Sequence, residues 1–275
     1  MIGNVTKIGV VFRPHFAPER LRSVVQVADE VGLEELWLWE DCFFQGGLSA
    51  AAAALGWSER VRIGVGLLPV PLRNVALSAM EMATIERLFP GRSMIAFGHG
   101  VQTWMGQVGG RVESPMTLLR EYVLALKKLL AGERVTVSGR YVNLEDVQLY
   151  WPPEVAPPVF TGASGPKSLQ LCGEISDGLV LTSSAGAEGV RRMREQVGPD
   201  MPIVVYSRAA IGADARERLD AEDVIDAVGY TEAEIPGMVE QLAAAGATTV
   251  VLEPTAEEPD PEGLVRFAAG LSTAS

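Results

Sequence analysis

Short apolar runs alternate with amphipathic stretches along the whole of this chain. Lys7 to Phe12 reads as a strand, and Glu19 to Val31 repeats Leu21, Val24, Val25, Val27, Ala28 and Val31 at helical spacing before stopping at Gly32. Glu35 to Trp39 is a second strand, followed by an alanine-rich helix from Leu48 to Leu55. Val61 to Leu68 and Ser93 to Phe97 are the third and fourth strands, with a helix from Asn74 to Leu88 between them. A long helix is predicted from Pro115 to Leu130. Glu133 to Leu144 breaks the rhythm, and Arg134 to Asn143 within it reads as a small hairpin. Val159 to Thr161, Leu179 to Thr182, Pro202 to Tyr206 and Thr249 to Leu252 are strands five to eight. Helices from Glu232 to Ala245 and from Pro261 to Ala269 close the pattern.

Eight strand–helix units in a chain of 275 residues meet the requirement of a (βα)8 barrel, which takes about 250. The expected fold is therefore an α/β TIM barrel with a small β-hairpin insertion, in one domain over residues 1–275. A doubly wound sheet is the alternative, but the first strand ends in Phe12-Arg-Pro-His15 and lacks the G-x-G-x-x-G turn.

In a barrel the chemistry sits at the C-terminal strand ends. Thr161-Gly-Ala-Ser-Gly-Pro-Lys-Ser168 joins a strand to a helix read from Leu169 to Ile175. Its residue types open a helix with free backbone N–H groups, which attract phosphate. The next strand ends in the hydroxyls of Thr182, Ser183 and Ser184. Gly162, Ala163, Ser164, Gly165, Pro166 and Thr182 are thus candidate anion-binding positions.

Other strand ends supply candidate catalytic groups. Glu40 and Asp41 follow the second strand, either as a base or orienting group or as the N-cap of the next helix. Gly98-His-Gly100 follows the fourth, where the glycines allow close approach to a flat ligand and His99 can exchange a proton near neutral pH. Trp104 either stacks on a ring or covers the barrel mouth.

The net charge of −12 disfavours nucleic acid and anionic membrane as partners. The acidic run from Glu253 to Pro261 reads as a solvated loop. Cys42 and Cys172 make no disulfide framework, and a cytoplasmic setting fits them. His15 and His99 have no neighbours at metal-ligand spacing, so no metal is expected.

Several motifs, in order, resemble the bacterial luciferase-like oxidoreductases, especially their coenzyme F420 (deazaflavin) branch. They are Ala28-Asp-Glu-Val-Gly-Leu-Glu-Glu-Leu-Trp37, Arg62-Ile-Gly-Val-Gly-Leu-Leu-Pro69, Leu88-Phe-Pro-Gly-Arg-Ser-Met-Ile-Ala-Phe-Gly98, the Glu133 to Tyr141 hairpin, and Gly165-Pro-Lys-Ser168 with Ser176-Asp-Gly178. The resemblance implies a barrel that binds F420, with FMN as the alternative cofactor, and a small-molecule substrate. It implies a non-prolyl cis peptide at Gly66–Leu67 that buttresses the back of the ring, and a homodimer. Hydride transfer is the implied reaction. An FMN-dependent monooxygenase or a non-catalytic flavin-binding paralogue are the alternatives. The chain departs from the family pattern at Glu40-Asp41, where Asp-His is usual. It carries Val101 where sugar-phosphate dehydrogenases carry a glutamate, Ala185 near their lysine, and Trp104 near an asparagine on the ring.

Overall fold

Eight parallel strands close into a ring in the computed structural model, which describes residues 6–162, 165–222 and 227–272. In chain order the strands are β1 (Lys7–Val11), β2 (Glu35–Leu38), β3 (Arg62–Pro69), β4 (Ser93–Gly98), β5 (Val135–Ser138), β6 (Asn143–Val147), β7 (Val159–Gly162), β8 (Gly178–Leu181), β9 (Ile203–Ala210), β10 (Gly229–Thr231) and β11 (Thr249–Glu253). The ring runs β11-β1-β2-β3-β4-β7-β8-β9, and the pairing of β11 with β9 closes it. The antiparallel pair β5–β6 is the expected hairpin, although its second strand reaches Val147. The fold is the expected TIM barrel.

Ten α-helices surround the ring among the described residues: α1 (Leu21–Val31), α2 (Gly47–Gly56), α3 (Val75–Leu88), α4 (Gln102–Gln107), α5 (Pro115–Leu130), α6 (Pro166–Ile175), α7 (Gly186–Val197), α8 (Ala215–Ala221), α9 (Ile235–Ala244) and α10 (Pro261–Ser272). Helix α1 buries Leu21, Val24, Val25 and Ala28, one stripe at helical spacing, and stops where Gly32 turns left-handed at φ 75°. Asn74 caps α3 by accepting from the Ala76 N–H at 2.9 Å. Helices α4, α7 and α8 have no counterpart in the sequence reading. Two are shorter than eight residues, and α7 is mostly polar, burying only Val190 and Met193. Strand β10 was also not anticipated. It adds to β9 outside the ring, pairing Gly229 with Arg208, and β9 itself runs on to Ala210.

Two apolar layers hold the barrel. One lies between strands and helices; the other fills the ring with Val11, Trp37, Met94, Ala96, Phe160, Val180, Val204, Tyr206 and Val251. Trp37 is wholly buried and takes the space that neighbours on β3 leave free. A Cβ on Gly64 would lie 2.3 Å from the Trp37 ring, so glycine there is a packing requirement. Phe160 and Gly178 match in the same way, at 2.3 Å. Burial of a side chain such as Trp37 contributes roughly 3 kcal/mol, and the paired glycines are its condition.

Candidate functional site

A cavity of about 590 Å3 opens at the C-terminal ends of the strands. Seven of the eight barrel strands line it, either themselves or through the turns that follow them. Strand β2 leads to Trp39, Glu40 and Asp41; β3 supplies Gly66 and Leu67; β4 leads to His99, Gly100 and Val101. Gly162 and Gly165 come from the β7–α6 turn with Ser168 behind them, and Val180, Thr182 and Ser183 from β8. Tyr206 of β9, Glu253 of β11 and Trp104 of α4 complete the wall. Its size is that of an ordinary ligand pocket.

Strand β3 bulges at the mouth. Its register against β4 shifts between Val65 and Leu68, and the Gly66–Leu67 peptide is cis, at the position the resemblance implied. A second non-prolyl cis bond, Cys42–Phe43, was not expected. Tyr206 lies behind the bulge and donates its hydroxyl hydrogen to the Gly66 carbonyl at 3.2 Å. A Cβ on Gly66 would meet that hydroxyl at 2.4 Å. Burial, with Glu253 and Glu35 nearby, pushes the Tyr206 phenol well above its ordinary value, so it stays a donor.

His99 is partly buried, and both ring nitrogens are shut off from solvent without a hydrogen-bond partner. Burial pulls its pKa below the ordinary 6.5; the Pro115 backbone opposes the shift without reaching hydrogen-bond geometry. Burial thus favours the neutral ring, which lines the cavity while its two nitrogens stay enclosed and unpartnered among the described residues. Gln102 steadies this turn by donating to the His99 and Gly100 carbonyls at 3.3 and 3.2 Å.

Glu40 and Asp41 divide as adjacent residues must. Arg73 grips Glu40 with two hydrogen bonds, 2.6 and 3.0 Å, and Glu40 accepts a third from the Gly47 N–H at 2.8 Å. The N-cap of α2 is Gly46, so neither acid holds the expected cap position; Glu40 instead satisfies the first N–H of the helix from outside it. The Asp41 carboxyl accepts from the Trp39 indole at 3.1 Å. Burial raises its pKa, with the indole hydrogen bond opposing.

At the β7–α6 turn, Gly165 precedes Pro166 at the first position of α6, and none of the described residues beyond its chain neighbours lies within 4 Å of where its Cβ would be. The helix is thus longer than predicted, starting at Pro166. Gly165 opens on the cavity; Pro166 does not line it, and neither does Gly98, whose neighbour His99 does. Ala163 and Ser164 lie outside the described residues. The Thr182 and Ser184 hydroxyls bond each other at 3.0 Å, and Thr182 and Ser183 face the cavity. A group with a phosphate at one end and a flat ring at the other is matched by this donor set: helix N–H groups and hydroxyls, then the unpartnered His99 nitrogens.

Tyr206 and Glu253 were not anticipated. Each follows a run of apolar strand residues, so a polar residue directly after such a run is the signal that marks them. The acidic run read as a solvated loop is corrected here: Glu253 lines the cavity, and Glu258 is 3% exposed, paired with Arg218. Charge runs look solvated in sequence because their partners come from elsewhere in the chain. Cys42 and Cys172 are both free and buried. Among the described residues no His, Cys, Asp or Glu group is arranged to hold a metal, and no helix is long and apolar enough to cross a membrane.

A model of the luciferase-like monooxygenase family matches residues 5–261. The chain is 25% identical to the 5,10-methylenetetrahydromethanopterin reductase of Methanolobus tindarius, over 84% of this chain and 73% of that protein. It is 33% identical to the F420-dependent glucose-6-phosphate dehydrogenase of Kineococcus radiotolerans, over 63% of this chain and 55% of the dehydrogenase, so the match spans about half of that relative's length. An F420-dependent secondary alcohol dehydrogenase, solved with an F420–acetone adduct, has the same fold, with a TM-score of 0.85 at 20% identity over 97% of this chain and 98% of its own.

Proposed function

The chain belongs to the luciferase-like monooxygenase family, and from this premise we propose that it is an oxidoreductase exchanging a hydride between the deazaflavin coenzyme F420 and a small organic substrate. The observation that carries the reading is that one cavity joins the N-terminus of α6, with the hydroxyls of Ser168, Thr182 and Ser183, to the bulge at Gly66–Leu67 and the unpartnered His99. When bound, a deazaflavin supplies the hydride chemistry.

The residues of this chain hold, orient and seal. Backbone N–H groups at the start of α6 and the three hydroxyls take the phosphate, which needs no cation there. The bulge, backed by Tyr206, supports the ring, and Trp104 covers the mouth against water. Neutral His99 offers one hydrogen bond in each direction to ring or substrate. A cytoplasmic homodimer belongs to the same reading. It is supported by the exposed Leu77, Met80 and Leu88 of α3, an apolar face that a second copy would cover.

Titration of cofactor-free protein with F420 and with FMN, followed by cofactor fluorescence, tests the assignment. The expected result is an F420 Kd at least ten-fold below that of FMN. The reverse order moves the protein to the monooxygenases, and no binding of either leaves a paralogue without the chemistry.

A further inference from the structure

The two faces of β2 carry different side chains. Leu36 and Leu38 join the layer between strands and helices, while Trp37 and Trp39 belong to the cluster inside the ring. Trp37 is wholly buried. Trp39, two residues nearer the mouth, is partly buried and lines the cavity. Leu38 pairs with Val65 of β3, so Trp39 comes level with Gly66, and the N–H of Glu40 donates to the Leu67 carbonyl at 3.3 Å. The indole thus stands beside the bulge, at the floor of the cavity.

Three contacts fix it there. Its N–H donates to Asp41 at 3.1 Å, the Tyr206 ring lies 5.7 Å away at 50°, and the Arg13 guanidinium sits 5.7 Å over its face. Arg13 does not line the cavity, so it covers the indole from behind. Arg13 is 8% exposed and is itself held, donating to Glu222 at 2.6 Å and to the Pro254 carbonyl at 3.0 Å. Its Nε is buried without a hydrogen-bond partner among the described residues. Burying a guanidinium is costly unless its face is also used, and the indole is what that face meets. An indole clamped at its N–H, over one face and against a second ring has little freedom left to lose when a ligand arrives. It offers a large, rigid apolar surface to a flat ring.

We propose that Trp39 is a ring-contact residue, forming with Leu67 the floor on which a flavin-type ring lies, and that Arg13 is the positioning residue that holds the indole in place. The proposal rests on the reading above that such a ring enters this cavity. Ring affinity then belongs to β1 and β2, and phosphate affinity to the β7–α6 turn across the mouth.

Two ligands separate these contributions. F420 carries ring and phosphate; deazariboflavin carries the same ring on a ribityl chain without phosphate. Trp39→Leu should weaken both by the same factor, about ten-fold or more, whereas Gly165→Asp should weaken F420 alone. Arg13→Met should weaken deazariboflavin about five-fold in the wild-type background and less than about two-fold in the Trp39→Leu background, where nothing is left to position. An arginine with only a structural role would act equally in both. Trp39→Phe serves should the leucine variant not fold: the emission of bound deazariboflavin, quenched by the indole in the wild type, should recover. Unchanged deazariboflavin affinity in Trp39→Leu, equal effects of Arg13→Met in both backgrounds, or recovery of emission in Trp104→Phe rather than in Trp39→Phe each overturns the proposal. Riboflavin is titrated in parallel. If it binds and the deazaflavins do not, the deazaflavin reading fails, and the riboflavin affinity of Trp39→Leu still decides the floor: a ten-fold loss upholds it and an unchanged value overturns it. Failure of every ring to bind the wild-type protein overturns both.

Discussion

The Tyr206 hydroxyl donates to the Gly66 carbonyl at 3.2 Å, joining residues 140 apart in sequence at the floor of the cavity. This bond ties the middle of β9 to the bulge of β3, with three strands of the ring between them on either side. The bulge is thereby held from behind, and a ligand resting on Leu67 meets a supported surface.

Tyr206→Phe should leave the Gly66 carbonyl buried without its donor and lower stability by about 1–2 kcal/mol. Gly66→Ala should cost more, because its Cβ would meet the hydroxyl at 2.4 Å. The double variant should be more stable than Gly66→Ala alone, since the phenol oxygen is the first atom in the way. Urea unfolding of the three proteins measures this. Additive losses would mean that the two sites do not touch.

Gly165→Asp should act in opposite directions on folding and binding. Its backbone is extended, at φ −79° and ψ 145°, and its Cβ position is open, so aspartate is accommodated and can cap α6. Melting temperature should hold or rise slightly, by a capping gain of a few tenths of a kcal/mol over glycine. Affinity for F420 should fall about ten-fold or more, because the carboxylate occupies and repels the phosphate position. Unchanged affinity would place the phosphate elsewhere.

His99→Ala should lower turnover by about 10²-fold while F420 affinity stays nearly intact. The imidazole has no hydrogen-bond partner among the described residues, so little stability should go with it at pH 7. Stability at low pH carries a sign. The folded pKa of His99 lies below the ordinary 6.5, so the unfolded chain binds more protons in that window and wild-type stability falls as pH drops through it. The alanine variant should lose less stability than wild type on acidification below about pH 6.5. A steeper acid loss in the variant would contradict the buried neutral ring.

Arg73→Met should destabilise the protein by about 3 kcal/mol, because Glu40 is left partly buried without its counter-charge. Adding Glu40→Gln should recover much of that loss. Thermal unfolding of both single variants and the double variant reads the coupling. A Glu40→Gln enzyme that keeps its pH–rate profile would agree with a carboxylate held for structure, and a lost limb would return it to proton transfer.

The barrel was legible in the sequence because each of its strands is an apolar run bounded by turn residues, and such runs declare themselves locally. The Gly66–Leu67 bulge and the α6 turn were legible as motifs for the same reason: a close approach of backbone demands glycine, and glycine is visible. Short α4 and α8 and three-residue β10 were not, since none carries enough buried periodicity to stand out. What only the tertiary structure decided is pairing. Glu40 resembles a free carboxylate until Arg73 closes on it, and Glu253 resembles loop charge until β11 delivers it to the mouth beside Tyr206. Proton availability at Asp41, His99 and Glu253 depends on desolvation and on charges from distant strands, and neither quantity exists until the ring has closed.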